Sequence, residues 1–218
     1  MDLKNKKILI VGGAGFIGHN LAIQLKKYNA DVSIIDSLGI NNLESLKNNA
    51  DNLPFPVLSK NILDERLKLL SGVKTYFEDA RDYQKMSKLY AEIKPEVIVH
   101  LAAVSHAGRS NKNPHTTFDH SLRTLENMLD ASKKTIKHFI YLSSSMVYGN
   151  FKENEVNEDT SCEPLGIYGA LKYAGEKIII AYNQVFGIPY TIIRPSALYG
   201  ERCVSRRVGQ IFIESALH

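Results

Sequence analysis

A glycine-rich turn near the N-terminus constrains the fold more than any other part of this 218-residue sequence. Residues 7–11 form a short apolar run typical of a buried strand, and residues 16–28 show the apolar spacing of a helix. Gly12 or Gly13 would allow a sharp turn between the strand and the helix. Gly15 would let backbone amides approach a pyrophosphate, and Gly18 would let the helix pack closely on the strand. The pattern predicts a strand–turn–helix unit whose helix N-terminus binds phosphate.

An acidic residue ends the next predicted strand, at residues 31–36. Asp36 lies at the distance along the chain expected for a carboxylate that binds the hydroxyls of an adenosine ribose. Such a carboxylate would repel a 2′-phosphate, so Asp36 predicts NAD rather than NADP as the cofactor. The alternative is that Asp36 merely begins a turn.

The rest of the chain alternates between predicted strands and helices. Residues 38–71 are predicted as a long loop with helical turns at 43–47 and 63–70. Further strands are predicted at residues 73–79, 95–101, 138–143 and 189–194, and helices at 84–93, from 114 to about 134, and at 168–186. This alternation predicts an α/β fold, a Rossmann-type doubly wound parallel sheet with helices on both faces.

The composition indicates one ordinary globular domain, with 44% hydrophobic and 23% charged residues. The net charge is only +4 and its contributors are far apart in sequence, so no nucleic-acid partner is predicted. No stretch is long and apolar enough to span a bilayer, so no membrane partner is expected. Cys162 and Cys203 have neither disulfide-scaffold density nor metal-ligand spacing, which favours a reducing compartment, the cytoplasm.

Four histidines could suggest a metal site, but their spacing does not support one. They are His100, His106, His115 and His120. They are spread over a predicted strand end, a loop and a helix, without the spacing of zinc ligands. We therefore predict no metal site.

A tyrosine and a lysine one helical turn apart carry the strongest signal for chemistry. Tyr168 and Lys172 would share one face of a helix. A phenol with a reference pKa of about 10 is a poor base at neutral pH, but a nearby ammonium group and an oxidised nicotinamide both favour the phenolate. Tyr168 could then accept a proton, and Ser144 could hydrogen-bond the same substrate oxygen. Alternatively, both are ordinary residues of an amphipathic helix.

These and other motifs together resemble the extended short-chain dehydrogenase/reductase family, in particular its nucleotide-sugar epimerases and dehydratases. The resemblance runs from residue 7 to about residue 201. It rests on Gly12-x-x-Gly15-x-x-Gly18, Asp36, Asp79-Ala80-Arg81-Asp82, His100-Leu101-Ala102-Ala103, Ser105-His106, Arg109-Ser110, Pro114, Ser143-Ser144-Ser145-Met146-Val147-Tyr148-Gly149, Tyr168-x-x-x-Lys172 and Arg194-Pro195-Ser196.

The resemblance implies specific roles for these residues. Ser144, Tyr168 and Lys172 would be catalytic, and Lys172 would also hold the nicotinamide ribose. Asp79 and Ala80 would meet the adenine. The full set of implied NAD-binding residues is Gly12, Gly15, Phe16, Ile17, Gly18, Asp36, Ser37, Asp79, Ala80, Leu101, Ala102, Ala103, Ser105, Ser143, Tyr168, Lys172, Pro195 and Ser196.

The implied activity is NAD-dependent epimerisation at C4 of a UDP-linked hexose, in the synthesis of cell-surface polysaccharide precursors. Tyr168 would take a hydroxyl proton while hydride passes to NAD, and the transient 4-keto sugar would rotate before the hydride returns. A dehydratase, a decarboxylase, a 4-keto reductase and an NAD-binding module without turnover stay open as alternatives. Dehydration is disfavoured, because Ser145 and Met146 stand where family dehydratases carry an Asp-Glu pair. Ser121 and Ala197 stand where the family often has asparagine.

Family members usually continue into a smaller C-terminal domain that closes over the nucleotide-sugar. We expect residues 1–203 to form the NAD-binding domain and residues 204–218 to begin a truncated substrate-binding region. Residues 210–218 predict a helix whose apolar side would favour self-association, and a homodimer is expected. Val208, Ile211, Phe212 and Ser215 form that side. Without the closing domain, this chain is expected to bind NAD but to turn over little sugar.

Overall fold

The computed structural model describes residues 3–44, 46, 55–105, 107–151, 155–204 and 208–217. Their centre is a six-stranded sheet in the order β3-β2-β1-β4-β5-β6, with every neighbouring pair parallel. The strands are β1 (Lys7–Val11), β2 (Asp31–Ile35), β3 (Lys74–Tyr76), β4 (Val97–His100), β5 (His138–Leu142) and β6 (Tyr190–Ile193). The predicted doubly wound parallel sheet is therefore confirmed.

Helices connect these strands in sequence. They are α1 (Phe16–Lys27), α2 (Pro56–Leu69), α3 (Tyr83–Ile93), α4 (Ala107–Lys112), α5 (Pro114–Phe118), α6 (Thr124–Ser132), α7 (Gly166–Phe186) and α8 (Val208–Leu217). A π-helical turn, Asp119–Arg123, joins α5 to α6, and a 3₁₀ turn, Ser145–Tyr148, follows β5. Within the described residues no helix combines the length and apolar character needed to cross a membrane.

Two apolar clusters cover the two faces of the sheet, which explains why the central strands are apolar without alternation. One cluster joins Leu9 and Phe139 to side chains of α3, α6 and α7, such as Met86. The other joins Ile10 to side chains of α1 and α2, such as Ala22. The carboxyl ends of β1 and β4 lie at the point where the strand order reverses, and open α/β sheets bind their ligands there.

The chain between β2 and β5 differs most from the sequence prediction. The loop predicted up to residue 62 is wrong from Pro56 onward, because proline fits the first turn of a helix and α2 starts there. The strand predicted at 73–79 is shorter, and the helix predicted from 114 is divided by the π-helical turn. Helix α4 was not predicted, since it lacks an apolar repeat. The helical turn predicted at 43–47 lies partly outside the described residues.

Candidate active site

The glycine loop has the geometry of a close-approach turn. Gly12 has φ +83°, and a Cβ there would lie 2.7 Å from the Ala102 nitrogen. A Cβ on Gly18 would lie 2.5 Å from the Gly13 Cα, so only glycine lets α1 come this near to the turn. Gly15 is the N-cap of α1 and gives no side-chain cap bond, and the first turn of α1 carries no acidic residue. The backbone amides in the first turn of α1 are therefore expected to bind an anionic ligand.

Asp36 follows β2 and links the glycine loop to the next loop. Its Oδ2 accepts a hydrogen bond from the Ala14 amide at 2.9 Å, and its Oδ1 accepts one from the Leu38 amide at 2.8 Å. Burial raises the pKa of Asp36, although these hydrogen bonds oppose the rise. The bond to Leu38 is that of an Asx turn, so Asp36 does begin a turn. It also faces the cleft beside the glycine loop, where a ribose acid is expected.

Helix α7 presents Tyr168 and Lys172 to the same cleft. The Lys172 side chain is 4% exposed, and its Nζ donates to the Leu142 carbonyl at 2.7 Å. That Nζ lies 6.0 Å from the centre of the Tyr168 ring. Burial lowers the pKa of Lys172 to about 8, while the Glu176 carboxylate opposes this shift. The ammonium form therefore still predominates at neutral pH, as its predicted role beside a phenol requires.

The serine run after β5 is anchored to α7 through a buried carboxylate. Glu176 is 1% exposed, and its Oε1 accepts from the Ser143 hydroxyl at 2.5 Å. Arg194 donates to the same carboxylate from Nε at 3.0 Å and from Nη2 at 2.7 Å. The Ser144 hydroxyl accepts from the Met146 amide at 3.2 Å. Ser144 thus lines the cleft at the start of the 3₁₀ turn, on the side of the Tyr–Lys pair.

The segment after β3 lines a further part of the cleft. The Arg81 guanidinium pairs with Asp79 at 2.6 Å. Partial burial raises the pKa of Asp79, but the hydrogen bonds from Arg81 outweigh this effect and hold the pKa below its usual value. His120, from the π-helical turn, also lines the cleft, and burial lowers its pKa. His120 was not predicted to belong to the site, because a π-helical turn leaves no signature in side-chain spacing.

All sequence-predicted site residues line one cleft of about 550 Å³. The glycine loop and the start of α1 contribute Gly12, Gly15, Phe16, Ile17 and Gly18, and the chain after β2 contributes Asp36 and Ser37. The loops after β3 and β4 contribute Asp79, Ala80, Leu101, Ala102, Ala103 and Ser105. The chain after β5, helix α7 and the chain after β6 contribute Ser143, Ser144, Tyr168, Lys172, Pro195 and Ser196. The structure thus brings the predicted set together, while the role of each residue stays a prediction.

Asn41 is a cleft residue beyond the predicted set, and its side chain links the loop after β2 to the chain after β4. Asn41, in the loop after β2, has φ 51° and donates from its Nδ2 to the Ser105 hydroxyl at 2.9 Å. Arg109 of α4 donates to the Asn41 Oδ1 at 2.6 Å. A side-chain bridge therefore joins the loop after β2 to the loop after β4. No local sequence pattern indicated this bridge, because its partners are far apart along the chain.

Arg66 of α2 is a further cleft residue that the sequence did not single out. It is 1% exposed, and its only sequence signal is its position among the apolar residues of the predicted turn at 63–70.

His100 is equally buried, and burial lowers its pKa to about 3, so its ring is neutral at physiological pH. His106 lies outside the described residues. Across the described ranges, His, Cys, Asp and Glu side chains form no cluster that could hold a metal ion.

The cleft fits a dinucleotide. Gly12 and Gly18 let the turn pack closely against the Ala102 backbone and α1, which brings the N-terminus of α1 to the cleft. The backbone amides at that N-terminus suit a diphosphate, and Asp36 suits a ribose diol. A buried nitrogen of Arg66, Nη1, has no hydrogen-bond partner in the described part of the chain, which leaves a donor for an anion.

This parallel sheet, with its glycine loop, ribose acid and Tyr-x-x-x-Lys pair at one cleft, defines an extended short-chain dehydrogenase/reductase. The chain belongs to the NAD dependent epimerase/dehydratase family, whose model matches residues 8–218.

Known relatives agree with this assignment. The chain is 35% identical over 206 residues to the uncharacterized UDP-glucose epimerase YtcB of Bacillus subtilis, covering 90% of this chain and 58% of that protein. It superposes on the UDP-glucuronic acid 4-epimerase of Bacillus cereus, solved with UDP-glucuronic acid and NAD, with a TM-score of 0.77 and 30% identity, covering 96% of this chain and 62% of that one. For the UDP-glucose 4-epimerase of Thermotoga maritima, solved with UDP-glucose, the TM-score is 0.79 and the identity 26%, covering 96% of this chain and 62% of that one. The chain thus spans less than two thirds of these relatives.

Proposed function

We propose that this chain binds NAD and forms the catalytic half of a nucleotide-sugar 4-epimerase acting on a UDP-linked hexose. The observation that carries the proposal is the position of Tyr168 and Lys172, one helical turn apart on α7 and lining the same cleft as the glycine loop. Structures similar to this one were solved with NAD and UDP-sugars, which supports the choice of cofactor and nucleotide.

In this mechanism, Tyr168 removes the proton from a sugar hydroxyl. The ammonium group of Lys172 favours the phenolate electrostatically, and its burial strengthens that interaction. Ser144 accepts from Met146 and keeps its hydroxyl hydrogen to donate to the same sugar oxygen. NAD, which the glycine loop, Asp36 and Lys172 would hold, would supply a reversible hydride acceptor for the sugar carbon. Tyr168 then returns the proton after the keto sugar has turned its other face to the cofactor.

Ser145 and Met146 line the cleft next to Ser144 and favour epimerisation over water elimination. Neither a hydroxyl nor a thioether provides the strong acid and base that elimination requires. A binding module without turnover is the second candidate, because the chain spans less than two thirds of its relatives. In both cases we propose that residues 1–203 are the cofactor domain and residues 204–218 begin the region that contacts sugar.

We also propose a cytoplasmic homodimer that contributes to cell-surface polysaccharide precursors. Cys162 and Cys203 form no disulfide within the described residues, which supports a reducing compartment. On α8, Ile211, Phe212 and Ile213 are 39%, 69% and 64% exposed, and these apolar side chains favour contact with a second copy.

The test pairs Tyr168→Phe with Tyr173→Phe, a tyrosine on the same helix outside the cleft. NAD binding is measured by titration calorimetry. Turnover is measured with UDP-, dTDP-, GDP- and CDP-sugars, on this chain and on any longer natural form. Tyr168→Phe should keep NAD affinity within about 3-fold and lose at least about 100-fold in turnover, a typical general-base contribution. Tyr173→Phe should change neither.

Undiminished turnover in Tyr168→Phe would remove the proposed base. NAD binding without turnover in every form would favour the binding module, and no NAD binding by the wild type would refute both candidates.

A further inference from the structure

Arg66, a buried arginine that lines the cleft, has a guanidinium nitrogen without a hydrogen-bond acceptor among the described residues. Arg66 donates from Nε and Nη2 to the Arg202 carbonyl, at 2.9 and 2.5 Å. Its Nη1 is buried and has no hydrogen-bond partner within the described residues. A buried polar hydrogen without an acceptor is costly, more so on a charged group. The missing acceptor is therefore expected to come from a ligand.

The charges around Arg66 make an anion the fitting acceptor. Cys203 and the Asp36 carboxylate attract the guanidinium through space, but the two oxygens of Asp36 accept hydrogen bonds from the Ala14 and Leu38 amides. Arg202 repels it. Burial lowers the pKa of Arg66 to about 10, so it remains a cation at neutral pH. A cation this deeply buried needs a counter-charge close by.

The position of Arg66 indicates which part of a dinucleotide it meets. Its charge acts both on Asp36, the predicted ribose acid, and on His19 in the first turns of α1. It lines the same cleft as Gly15 and Ile17 at the N-terminus of α1, where the phosphates of a dinucleotide are expected to bind. The diphosphate is the anionic part of NAD, and glycine loops of this kind bind it.

We propose that Arg66 is a cofactor-binding residue that donates to the diphosphate of NAD, an inference that rests on the proposed function. Arg66 also holds the Arg202 carbonyl, and Arg202 in turn donates to His19 and Asn20 on α1. Cofactor binding and the position of the segment at 201–204 therefore depend on the same guanidinium.

The experiment compares adenosine, ADP and NAD as ligands, by calorimetry, on the wild type, Arg66→Gln and Arg66→Lys. Lys68→Gln is the matched control, because it removes a positive charge from an exposed position on the same helix. Arg66→Gln should weaken ADP and NAD by about 10- to 150-fold, the range for a hydrogen bond to a charged group, and adenosine by less than about 2-fold. Arg66→Lys should show a smaller loss with the same selectivity, and Lys68→Gln should bind all three ligands like the wild type.

An equal loss for adenosine and ADP would overturn the inference, since it would mean that Arg66 acts only by holding Arg202. Unchanged ADP binding would overturn it as well. If Arg66→Gln does not fold, the same two criteria are applied to Arg66→Lys. Either result leaves the proposed function intact as long as the wild type binds NAD. A wild type that binds neither ADP nor NAD would refute the proposed cofactor itself.

Discussion

Acid should destabilise this protein through His19, because the hydrogen bonds of its side chain require a neutral imidazole ring. The side chain is 0% exposed. Its Nδ1 lies 2.8 Å from the Gly15 carbonyl and donates to it, so Nε2 must be the acceptor of the Arg202 Nε–H at 2.9 Å. A proton on Nε2 would face a guanidinium donor. Burial, and then the charges of Arg66 and Arg202, lower the pKa of His19 to about 4 from 6.5.

The sign of the effect follows from proton binding in the two states. The unfolded chain binds a proton at His19 near pH 6.5, and the folded protein binds it only near pH 4. Between these values the unfolded state holds more protons, so the free energy of unfolding falls as the pH falls. The loss attributable to His19, relative to neutral pH, is about 2 kcal/mol at pH 5 and about 3 kcal/mol at pH 4.

Urea unfolding at pH 7.5 and pH 5.0 measures this loss. The wild type should lose about 2 kcal/mol more between the two pH values than His19→Gln, because glutamine does not titrate. His100 is present in both proteins, so its own contribution to the pH dependence of the free energy of unfolding cancels in the comparison. His115→Gln, which alters a side chain that is 92% exposed, should follow the wild type. Parallel losses in the wild type and His19→Gln would refute the argument.

Two further predictions concern the glycine loop and the acid that follows β2. Asp36→Ala should bind NAD at least about 10-fold more weakly, because a carboxylate that binds the ribose hydroxyls is removed. The same change should reduce the preference for NAD over NADP. A wild type that binds NADP more tightly than NAD would contradict the role assigned to Asp36. Gly18→Ala should lower the free energy of unfolding by about 1–3 kcal/mol, since its Cβ would lie 2.5 Å from the Gly13 Cα. Gly209→Ala, which meets nothing within 4 Å, is the control, and an equal effect of both changes on urea unfolding would contradict the packing argument.

The features predicted well from sequence are those that short-range geometry determines. The glycine spacing after β1 dictates a turn that only glycine permits, and Gly12 indeed has φ +83°. Tyr168 and Lys172 share a face because one helical turn separates them. Apolar runs of the central strands predicted a sheet covered on both faces, and two clusters cover it. In each case a few neighbouring residues contain the information.

The features that were missed depend on partners distant in sequence or on a subtle change in helix winding. Arg66 is buried because α2 packs its apolar side beside the cleft and the Arg202 carbonyl receives its hydrogen bonds. The bridge between Asn41 and Arg109 joins the loop after β2 to helix α4, which only the sheet order brings together. Helix α4 was missed because it has no apolar repeat. One of its contacts is with α7, where the Ile167 amide donates to the Asn111 Oδ1, and these residues are far apart in sequence. Such information becomes visible only in the folded chain.

The carboxylate of Glu176 has a consequence for how this site can diverge. It holds α7 against the ends of β5 and β6 through Ser143 and Arg194, so the helix takes its rotation from the sheet. Arg194 also donates from Nη1 to the Glu158 carbonyl at 3.3 Å, so the same guanidinium contacts the segment ahead of α7. Glu176 and Arg194 can therefore change only together if Tyr168 and Lys172 are to keep their orientation.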